Sequence, residues 1–392
     1  MNISRKQLAA LFICSLVPWS VGNGLIPLLP VYATQLGANS AVAGYYLAFS
    51  YLAIALGALS AGWISSILHR HKLALIIASL AGIPACWMMG QVKNIWGLTA
   101  LTAVMWFSGG LGISIIGILT GLSAGVKERG KIFGILALTN GIGALAGGLG
   151  TGWLVEQRGY TSMFKILAVF MILWPLSAAL LEDKEIKPPG PENTPRQVSQ
   201  GLGKNFYLMF TISILSSITG FFVILIRSIV MNNLGFGPLE VTSMGAIGGL
   251  IGMPFPFLMG WLSDRKGRKI ILAAGYLIGF ASLVMLAFSH AFWHFWLVSG
   301  LQGISTATFS IGSAFITDLV PREAFGKSLA IFGSTGWIGG IIGFGAAGYL
   351  LQNLGFGPTV IIGGLLALAA AGLLIPIQAG SRKNRQPDTV PT

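Results

Sequence analysis

Charged side chains are scarce in this sequence. Only 9% of its 392 residues are Asp, Glu, Lys or Arg and 54% are hydrophobic, whereas a soluble domain is about 25% charged. Apolar runs of about 20 residues recur along nearly the whole chain, and each is long enough to cross a hydrocarbon core about 30 Å thick. The composition therefore excludes an ordinary soluble domain and predicts an all-α integral membrane protein.

Cysteine and histidine are almost absent. Cys14 and Cys86 both lie inside apolar runs, so they form neither a disulfide framework nor a metal-ligand pattern. The histidine pairs at positions 69/71 and 290/294 each lack a third metal ligand. The chain also lacks an HExxH motif and a phosphate-binding loop. We therefore expect no metal, no cofactor and no enzymatic activity.

Twelve apolar segments are long enough to span a membrane. They lie near residues 8–33, 42–64, 73–91, 96–123, 132–156, 163–181, 206–231, 240–262, 270–289, 292–316, 328–351 and 358–378. With the N-terminus in the cytoplasm, the cytoplasmic segments hold 20 of the 24 Lys and Arg residues, and the opposite side holds only Lys93, Arg158 and Lys165. Because basic residues accumulate on the cytoplasmic side, we expect both termini in the cytoplasm.

The net charge of +13 follows from this topology and does not indicate a nucleic-acid-binding surface. The sequence predicts a multi-pass protein of the cell (plasma or inner) membrane. Its expected partners are the lipid bilayer and a small-molecule substrate, without nucleic acid, and we expect it to be a monomer.

The chain also contains an internal repeat. Segment 182–204 is its only long polar interior stretch, and its four prolines and mixed charges are typical of a flexible linker. On either side, 130–160 and 326–356 match at ten of 31 positions when shifted by 196 residues. The sequence therefore predicts two pseudo-symmetric six-helix bundles, at 1–181 and 205–392, an organisation found in many secondary transporters.

One loop and two further motifs carry a family resemblance. The loop GWLSDRKGRK, residues 260–269, resembles the signature G-x-L-x-D-R-x-G-R-[RK] of the major facilitator superfamily. Residues 22–30, GNGLIPLLP, resemble the first-helix proline motif of its twelve-span drug and metabolite exporters. The glycine run 143–152 resembles their fifth-helix antiporter motif, although Gly148 stands where that motif has proline. The resemblance implies transport by alternating access, with efflux as the expected direction.

The resemblance also implies a latch on the cytoplasmic side. Its expected residues are Asp264, Arg265, Gly267, Arg268 and Asp318. In the family, the aspartate faces the N-terminus of a helix in the other half, where the helix dipole favours a negative charge. By pseudo-symmetry this helix is the fifth span here, starting near Lys131. The family pattern also implies that Arg268 pairs with Asp318. A loop that only anchors its cations on lipid headgroups is the alternative.

The N-terminal half lacks both acids of this latch. Its equivalent loop has Ser66 in the place of Asp264, and Leu122 in the place of Asp318. We therefore expect the latch to be one-sided.

Family geometry lines the central cavity with the first, fourth, seventh and tenth spans. On that geometry the predicted substrate-binding residues are Trp19, Asn23, Trp106, Ser216, Arg227, Gln302 and Thr306. The seventh and tenth spans each carry polar residues at spacings of three and four, on one helix face. For their Ser and Thr residues, packing of helix on helix is an equally good interpretation.

Arg227 is the only ionisable residue well inside a span. A charge inside the membrane is costly and is by default a functional-site hypothesis. The alternative is that the side chain snorkels to the outer interface.

No span carries Asp or Glu near its middle, and Trp106 stands where proton-coupled exporters carry an arginine. The coupling ion is therefore left open. The leading prediction is a secondary active or facilitative transporter that exports a small amphiphilic organic molecule. The alternatives are an uptake permease for organic anions or nutrients, and a non-transporting member that acts as an assembly factor or receptor.

Overall fold

A computed structural model describes residues 3–123, 128–183, 202–321 and 324–377. Most of the predicted linker, residues 184–201, lies outside the described residues. Regular secondary structure within these four ranges is entirely helical and comprises fifteen helices. The predicted all-α fold is confirmed.

The N-terminal half is built from long helices. They are α1 (Arg5–Gln35), α2 (Ser40–Ile67), α3 (His71–Met89), α4 (Ile95–Ser123), α5 (Arg129–Met171) and α6 (Leu173–Ala179). The fifth predicted span and the first part of the sixth both lie in α5, and α6 contains most of the remainder of the sixth. The chain bends between these two spans at Gly159, inside α5, whose φ is 73°. Glycine adopts this left-handed backbone without steric cost.

The C-terminal half contains more and shorter helices. They are α7 (Gly203–Asn233), α8 (Pro238–Gly252), α9 (Phe255–Lys266), α10 (Arg268–Ala287), α11 (Phe292–Thr306), α12 (Thr308–Leu319), α13 (Phe325–Gly333), α14 (Thr335–Leu354) and α15 (Phe356–Gly372). The eighth, tenth and eleventh predicted spans are thus each divided into two helices.

Each division has a local cause. Pro254 precedes α9, and proline removes a helical hydrogen bond and bends the axis. The other two divisions lie at hydroxyl residues that bond back to the preceding turn. Thr306 Oγ1 donates to the Gly303 carbonyl at 2.6 Å, and Ser334 Oγ donates to the Ile331 carbonyl at 2.7 Å. Such back-bonding competes with the helical ladder and often bends a helix.

Two seams join the halves, one between α5 and α8 and the other between α2 and α14. Both rely on glycine for close approach. A Cβ added to Gly148 would lie 2.9 Å from the Thr242 carbonyl oxygen, and one added to Gly44 would lie 2.8 Å from the Gly348 Cα. Small residues at such crossings let helix backbones pack directly together.

Both seams are confined to the predicted outer side. The α5–α8 seam begins where Gly141 meets Met253 and ends at the start of α8. The α2–α14 seam begins where Tyr51 meets Gly340 and ends at the start of α2. Towards the predicted cytoplasmic end, α9 and α13 pack mainly against helices of their own half within the described residues. The halves therefore meet at the predicted outer end and separate at the predicted cytoplasmic end, which under the predicted topology is an inward-open arrangement.

Candidate substrate cleft and gates

One wall of the cleft between the halves is formed by α1. Ile13, near the predicted cytoplasmic end, is exposed, Trp19 and Asn23 further along are half-buried, and Leu28 and Leu29 are fully buried. Besides its own half, α1 packs against α7 and α8 of the other half. From Gly24 to Ala33 every residue of α1 except Ile26 is buried, so α1 is enclosed on all sides towards its predicted outer end.

An amide pair lies on this wall. Asn23 Nδ2 donates to Asn140 Oδ1 at 2.9 Å and to the Asn140 carbonyl at 3.3 Å. Asn140 belongs to α5 and is exposed, and Gly245 of α8 lies near the Asn23 carbonyl. The sequence did not indicate Asn140, because it lies on the fifth span and family geometry assigns the first, fourth, seventh and tenth spans to the cavity. An amide inside an otherwise apolar helix was the available signal.

An aromatic cluster crosses the midline of the molecule. The Tyr51 ring lies 5.5 Å from that of Trp106, 4.8 Å from Phe221, 6.3 Å from Trp337 and 5.1 Å from Phe344. It thereby joins α2 and α4 of one half to α7 and α14 of the other. Trp106 is buried and its Nε1 has no hydrogen-bond partner among the described residues. The sequence did not indicate Tyr51 either, because it lies on the second span, which family geometry does not assign to the cavity.

Ser216 and Gln302 come together, but inside the C-terminal half. They line a small pocket between α7, α10, α11 and α15, together with Tyr276 and Ser305. Gln302 Oε1 is buried and without a partner in the described structure, whereas Thr306, one turn further, is exposed. Ser216 and Gln302 therefore face each other within their own half in this state, while Thr306 is left exposed.

Arg227 is also enclosed by its own half. Its side chain is 5% exposed, and Nη1 donates to Ser299 Oγ at 2.6 Å. Ser299 in turn donates to the Phe295 carbonyl at 2.7 Å. The guanidinium Nε has no partner and no described carboxylate forms a salt bridge with Arg227. Since the guanidinium is bonded to α11 and buried, Arg227 does not snorkel in this conformation.

A larger apolar groove, of about 470 Å³, lies between α2, α3 and α4. Leu52, Leu56 and Phe107 are among its lining residues. It contains none of the predicted substrate-binding residues and lies away from both seams, so we expect lipid chains to fill it.

Residues 260–269, predicted as a loop, form the C-terminal part of α9, Gly267 and the start of α10. They hold a compact charge cluster. Arg268 Nε lies 2.9 Å from Asp318 Oδ2, and Arg268 Nη2 lies 3.7 Å from Asp264 Oδ1. Arg265 stacks on Trp261 at 3.9 Å. Gly267, between α9 and α10, has a φ of 95°, where a side chain would be strained.

Within the described residues, no hydrogen bond or ion pair joins Asp264 to α5. Its side chain is 61% exposed, and Arg268 is the one partner shown for it. The described part of the chain therefore does not show the predicted interaction with the α5 N-terminus in this conformation.

The family model of the Major Facilitator Superfamily matches residues 8–253 and 206–390, which together span nearly the whole chain. The chain belongs to this superfamily. As a superfamily transporter it is a multi-pass membrane protein, and its relatives are transporters rather than enzymes.

Two relatives are both named multidrug resistance protein MdtG. The protein from Salmonella arizonae is 24% identical over 335 residues, covering 81% of this chain and 78% of its own length. The protein from Citrobacter koseri is 24% identical over 296 residues, covering 71% of each chain.

Solved structures show the same fold at low identity. A POT family transporter in complex with 5-aminolevulinic acid has a TM-score of 0.74 at 14% identity and covers 94% of both chains. The nucleoside transporter NupG has a TM-score of 0.74 at 15% identity, over 94% of this chain and 98% of its own. The superfamily fold therefore extends over nearly the whole protein.

The superfamily repeat also appears in contacts that the sequence did not reveal. Lys72 Nζ donates to the carbonyls of Ala179 and Leu181, at 2.6 and 2.9 Å. Lys269 Nζ donates to the carbonyls of Ile375 and Ile377, at 2.6 and 3.1 Å. Each acceptor in the second half lies 196 residues after its counterpart. In each half, a lysine in the first turn of α3 or α10 thus binds carbonyls at or just after the end of the last helix, where cations are favoured.

Proposed function

We propose that this protein is a monomeric secondary transporter of the cell membrane that exports a small amphiphilic organic molecule by alternating access. The observation that supports this best is the pair of seams, closed on the predicted outer side while the cleft opens towards the cytoplasm. Such a conformation accepts a substrate from inside. The names of the MdtG relatives agree with efflux.

The chemistry of the cleft fits an amphiphilic substrate. The Asn23–Asn140 pair supplies amide donors and acceptors on one wall, and the Tyr51–Trp106 cluster supplies apolar rings at the meeting of the halves. Pockets that combine large apolar surfaces with a few oriented polar groups are typical of small-molecule sites.

The proposed function is tested by a search for the substrate followed by transport. Purified protein is screened for thermal stabilisation by drugs, sugars and carboxylates, and each hit is assayed for accumulation in inside-out vesicles. Asn23→Ala and Tyr51→Ala should weaken binding of a hit. Asn353→Ala is the control, because Asn353 is an exposed amide that bonds within its own helix. The absence of any transported hit, or equal losses in the control, would count against the proposal.

A second candidate function, transport of an organic anion, is favoured by the state of Arg227. A buried charge left without a counter-ion costs several kcal/mol, and the bond to Ser299 supplies only a neutral acceptor. An anionic substrate group would satisfy the guanidinium, and the planar fork of arginine binds a carboxylate through two bonds, which lysine cannot reproduce.

This candidate is tested with graded substitutions. Arg227→Lys should weaken transport of an anionic hit markedly and Arg227→Gln should nearly abolish it, whereas neutral and cationic hits should be unaffected or improved. Normal anion transport by Arg227→Gln would end the hypothesis.

A further inference from the structure

At the outer rim of each seam, a side chain from one half caps a helix of the other half. Glu156 Oε1, at the outer part of α5, accepts a hydrogen bond of 3.0 Å from the backbone N–H of Leu239 in α8. Gln352 Oε1, in α14, accepts one of 3.2 Å from the backbone N–H of Ser40 in α2. Residues 156 and 352 are separated by 196 positions, so they occupy the same place in the repeat.

The backbone donor is the first residue of the helix in α2 and the second residue in α8, and this difference has a chemical reason. The first turn of a helix leaves its N–H groups without helical partners. Helix α2 offers such a donor at its first residue, Ser40. The equivalent first residue of α8 is Pro238, which has no N–H, so the bond passes to Leu239.

Helix α2 also has a local cap, because Asn39 accepts from the Val42 N–H at 2.9 Å. The N-cap residue of α8 is Gly237, which has no side chain to cap the helix, and Glu240 accepts from the N–H of Gly237 itself at 2.7 Å. The bond from Gln352 is therefore additional to a local cap, whereas Glu156 supplies the first-turn acceptor that the N-cap residue of α8 cannot provide. The distinguishing property of both bonds is that they cross between the halves.

We propose that Glu156 and Gln352 are positioning residues that hold the outer gate shut, and that Glu156 contributes more than Gln352. The inference rests on the proposed alternating-access function. Opening of the outer side separates α5 from α8 and α2 from α14, which breaks both bonds. An interaction present in only one of two states shifts the equilibrium towards that state.

The order of the two contributions follows from charge. A carboxylate at a helix N-terminus gains from the dipole, and a hydrogen bond to an ionised acceptor is stronger than one to a neutral amide. Loss of a typical helix cap shifts a two-state equilibrium about fivefold. We therefore expect a shift of about fivefold for Glu156→Ala, a smaller one for Gln352→Ala, and an intermediate one for Glu156→Gln.

The test measures distances between the halves. Nitroxide labels on Lys93→Cys and His290→Cys report the outer side, because both residues are exposed in loops between α3 and α4 and between α10 and α11. The native Cys14 and Cys86 are buried and should stay unlabelled. In each variant the population with the longer outer distance should rise in the stated order, and most in the double Glu156→Ala, Gln352→Ala variant.

A second label pair and a control separate this effect from general loosening. Labels on Arg70→Cys and Lys266→Cys, at the predicted cytoplasmic loops, should move closer as the outer pair separates. Gln157→Ala, at the exposed neighbour of Glu156, should leave both distances unchanged.

The possible outcomes distinguish the gate from the proposed function. If the protein transports a hit but the double variant leaves the outer distances unchanged, the inference about Glu156 and Gln352 is wrong and the proposed function is unaffected. A full shift of the distances without transport of any hit would support the caps and count against the function. A shift in Gln157→Ala as large as in Glu156→Ala would also overturn the inference.

Discussion

The two seams share a backbone design but differ in charge. The α5–α8 seam carries Glu156 at its outer rim, and Asp264 lies at the opposite end of the same pair of spans. The α2–α14 seam has Gln352 and Ser66 at the equivalent positions. The repeat therefore reproduces the helix crossings in both halves. Of the two carboxylates, Glu156 crosses the α5–α8 seam in this conformation, and Asp264 lies beyond the cytoplasmic end of that seam.

This difference separates two kinds of interaction that hold the halves together. Glycine contacts such as Gly148 with Thr242 and Gly44 with Gly348 are present on both seams, so packing is shared. Electrostatic interaction with helix ends is concentrated on the α5–α8 seam. We infer that packing permits closure on either seam, and that charge on one seam adjusts the balance between the two states.

The largest expected effect comes from blocking the shared packing. Gly44→Ala places a methyl group against the Phe344 carbonyl and the Gly348 backbone, and Gly148→Ala does the same against Thr242. Overpacking of a tight contact typically costs about 1–3 kcal/mol, so each variant should lose about tenfold or more in the population of the outer-closed state. The outer label distances and substrate transport measure this loss.

Gly62→Ala is the matched control for Gly44→Ala, because Gly62 lies on the same helix with open space around its Cα. If Gly44→Ala kept the outer side closed and Gly148→Ala did not, or the reverse, the two seams would not contribute equally to closure by packing.

The next effect concerns the cytoplasmic end. Asp264→Asn should remove the charge that faces α5 when the cytoplasmic side closes, and should shift the population about twofold to fivefold towards inward-open. Transport should fall and expression should be retained. Arg268→Ala should act similarly through loss of the contacts with Asp264 and Asp318. The cytoplasmic label pair measures the shift.

Ser66→Ala provides the comparison for Asp264→Asn in the other half. Within the described part of the chain, Ser66 Oγ bonds only to the Trp63 carbonyl of its own helix, so this variant should change little. Equal effects of the two substitutions would contradict a one-sided latch.

A smaller effect on the balance between outer-closed and outer-open states should come from raising the salt concentration. The Debye length falls to about 3 Å at 1 M salt, so the difference between Glu156→Gln and the unmodified protein should shrink as salt is raised. The effect of Gln352→Ala should stay nearly constant, because its acceptor is neutral. Outer label distances at low and high salt test this, and equal salt dependence on both seams would remove the electrostatic distinction.

The smallest effect is expected at two loop residues. His69 and Gly267 are 198 positions apart and both have positive φ, 57° and 95°. His69→Gly should relieve left-handed strain of about 1–2 kcal/mol, partly offset by the greater chain entropy of glycine, so the melting temperature should rise slightly. Gly267→Ala should lower it. A fall in the melting temperature of His69→Gly would show that the His69 side chain contributes more than its strain costs.

The sequence predicted helices and loops better than it predicted kinks and contacts. Each apolar segment corresponds to one helix or two consecutive helices of the described residues, although several segments, such as 73–91 and 358–378, extend past the last residue of their helix. The correspondence holds because a backbone in lipid must satisfy its own hydrogen bonds. The bend before α9 has a visible cause in Pro254. The divisions after Thr306 and at Ser334 depend on hydroxyl groups that bond back to their own helix, and many other Ser and Thr residues do so without ending a helix.

The candidate site was only partly predicted from the sequence. Asn23 and Trp106 were identified as substrate-binding candidates, but their partners Asn140 and Tyr51 lie on spans that family geometry does not assign to the cavity. Ser216 and Gln302 were predicted to line the cavity from two separate spans, and the structure places them together between helices of one half. Helical periodicity shows which residues share a face, and it does not show which helix that face meets.

Hydrophobicity, repeat and charge pattern by themselves determined that this protein is a helical membrane protein with two related halves and a charged loop in one of them. These properties are local, because each span is set by its own apolar length and backbone hydrogen bonds. The tertiary structure alone decided which side of the molecule is closed, and that Glu156 and Gln352 reach across to the other half. Those contacts join residues far apart in the chain, and they depend on a balance between two arrangements that differ by only a few kcal/mol.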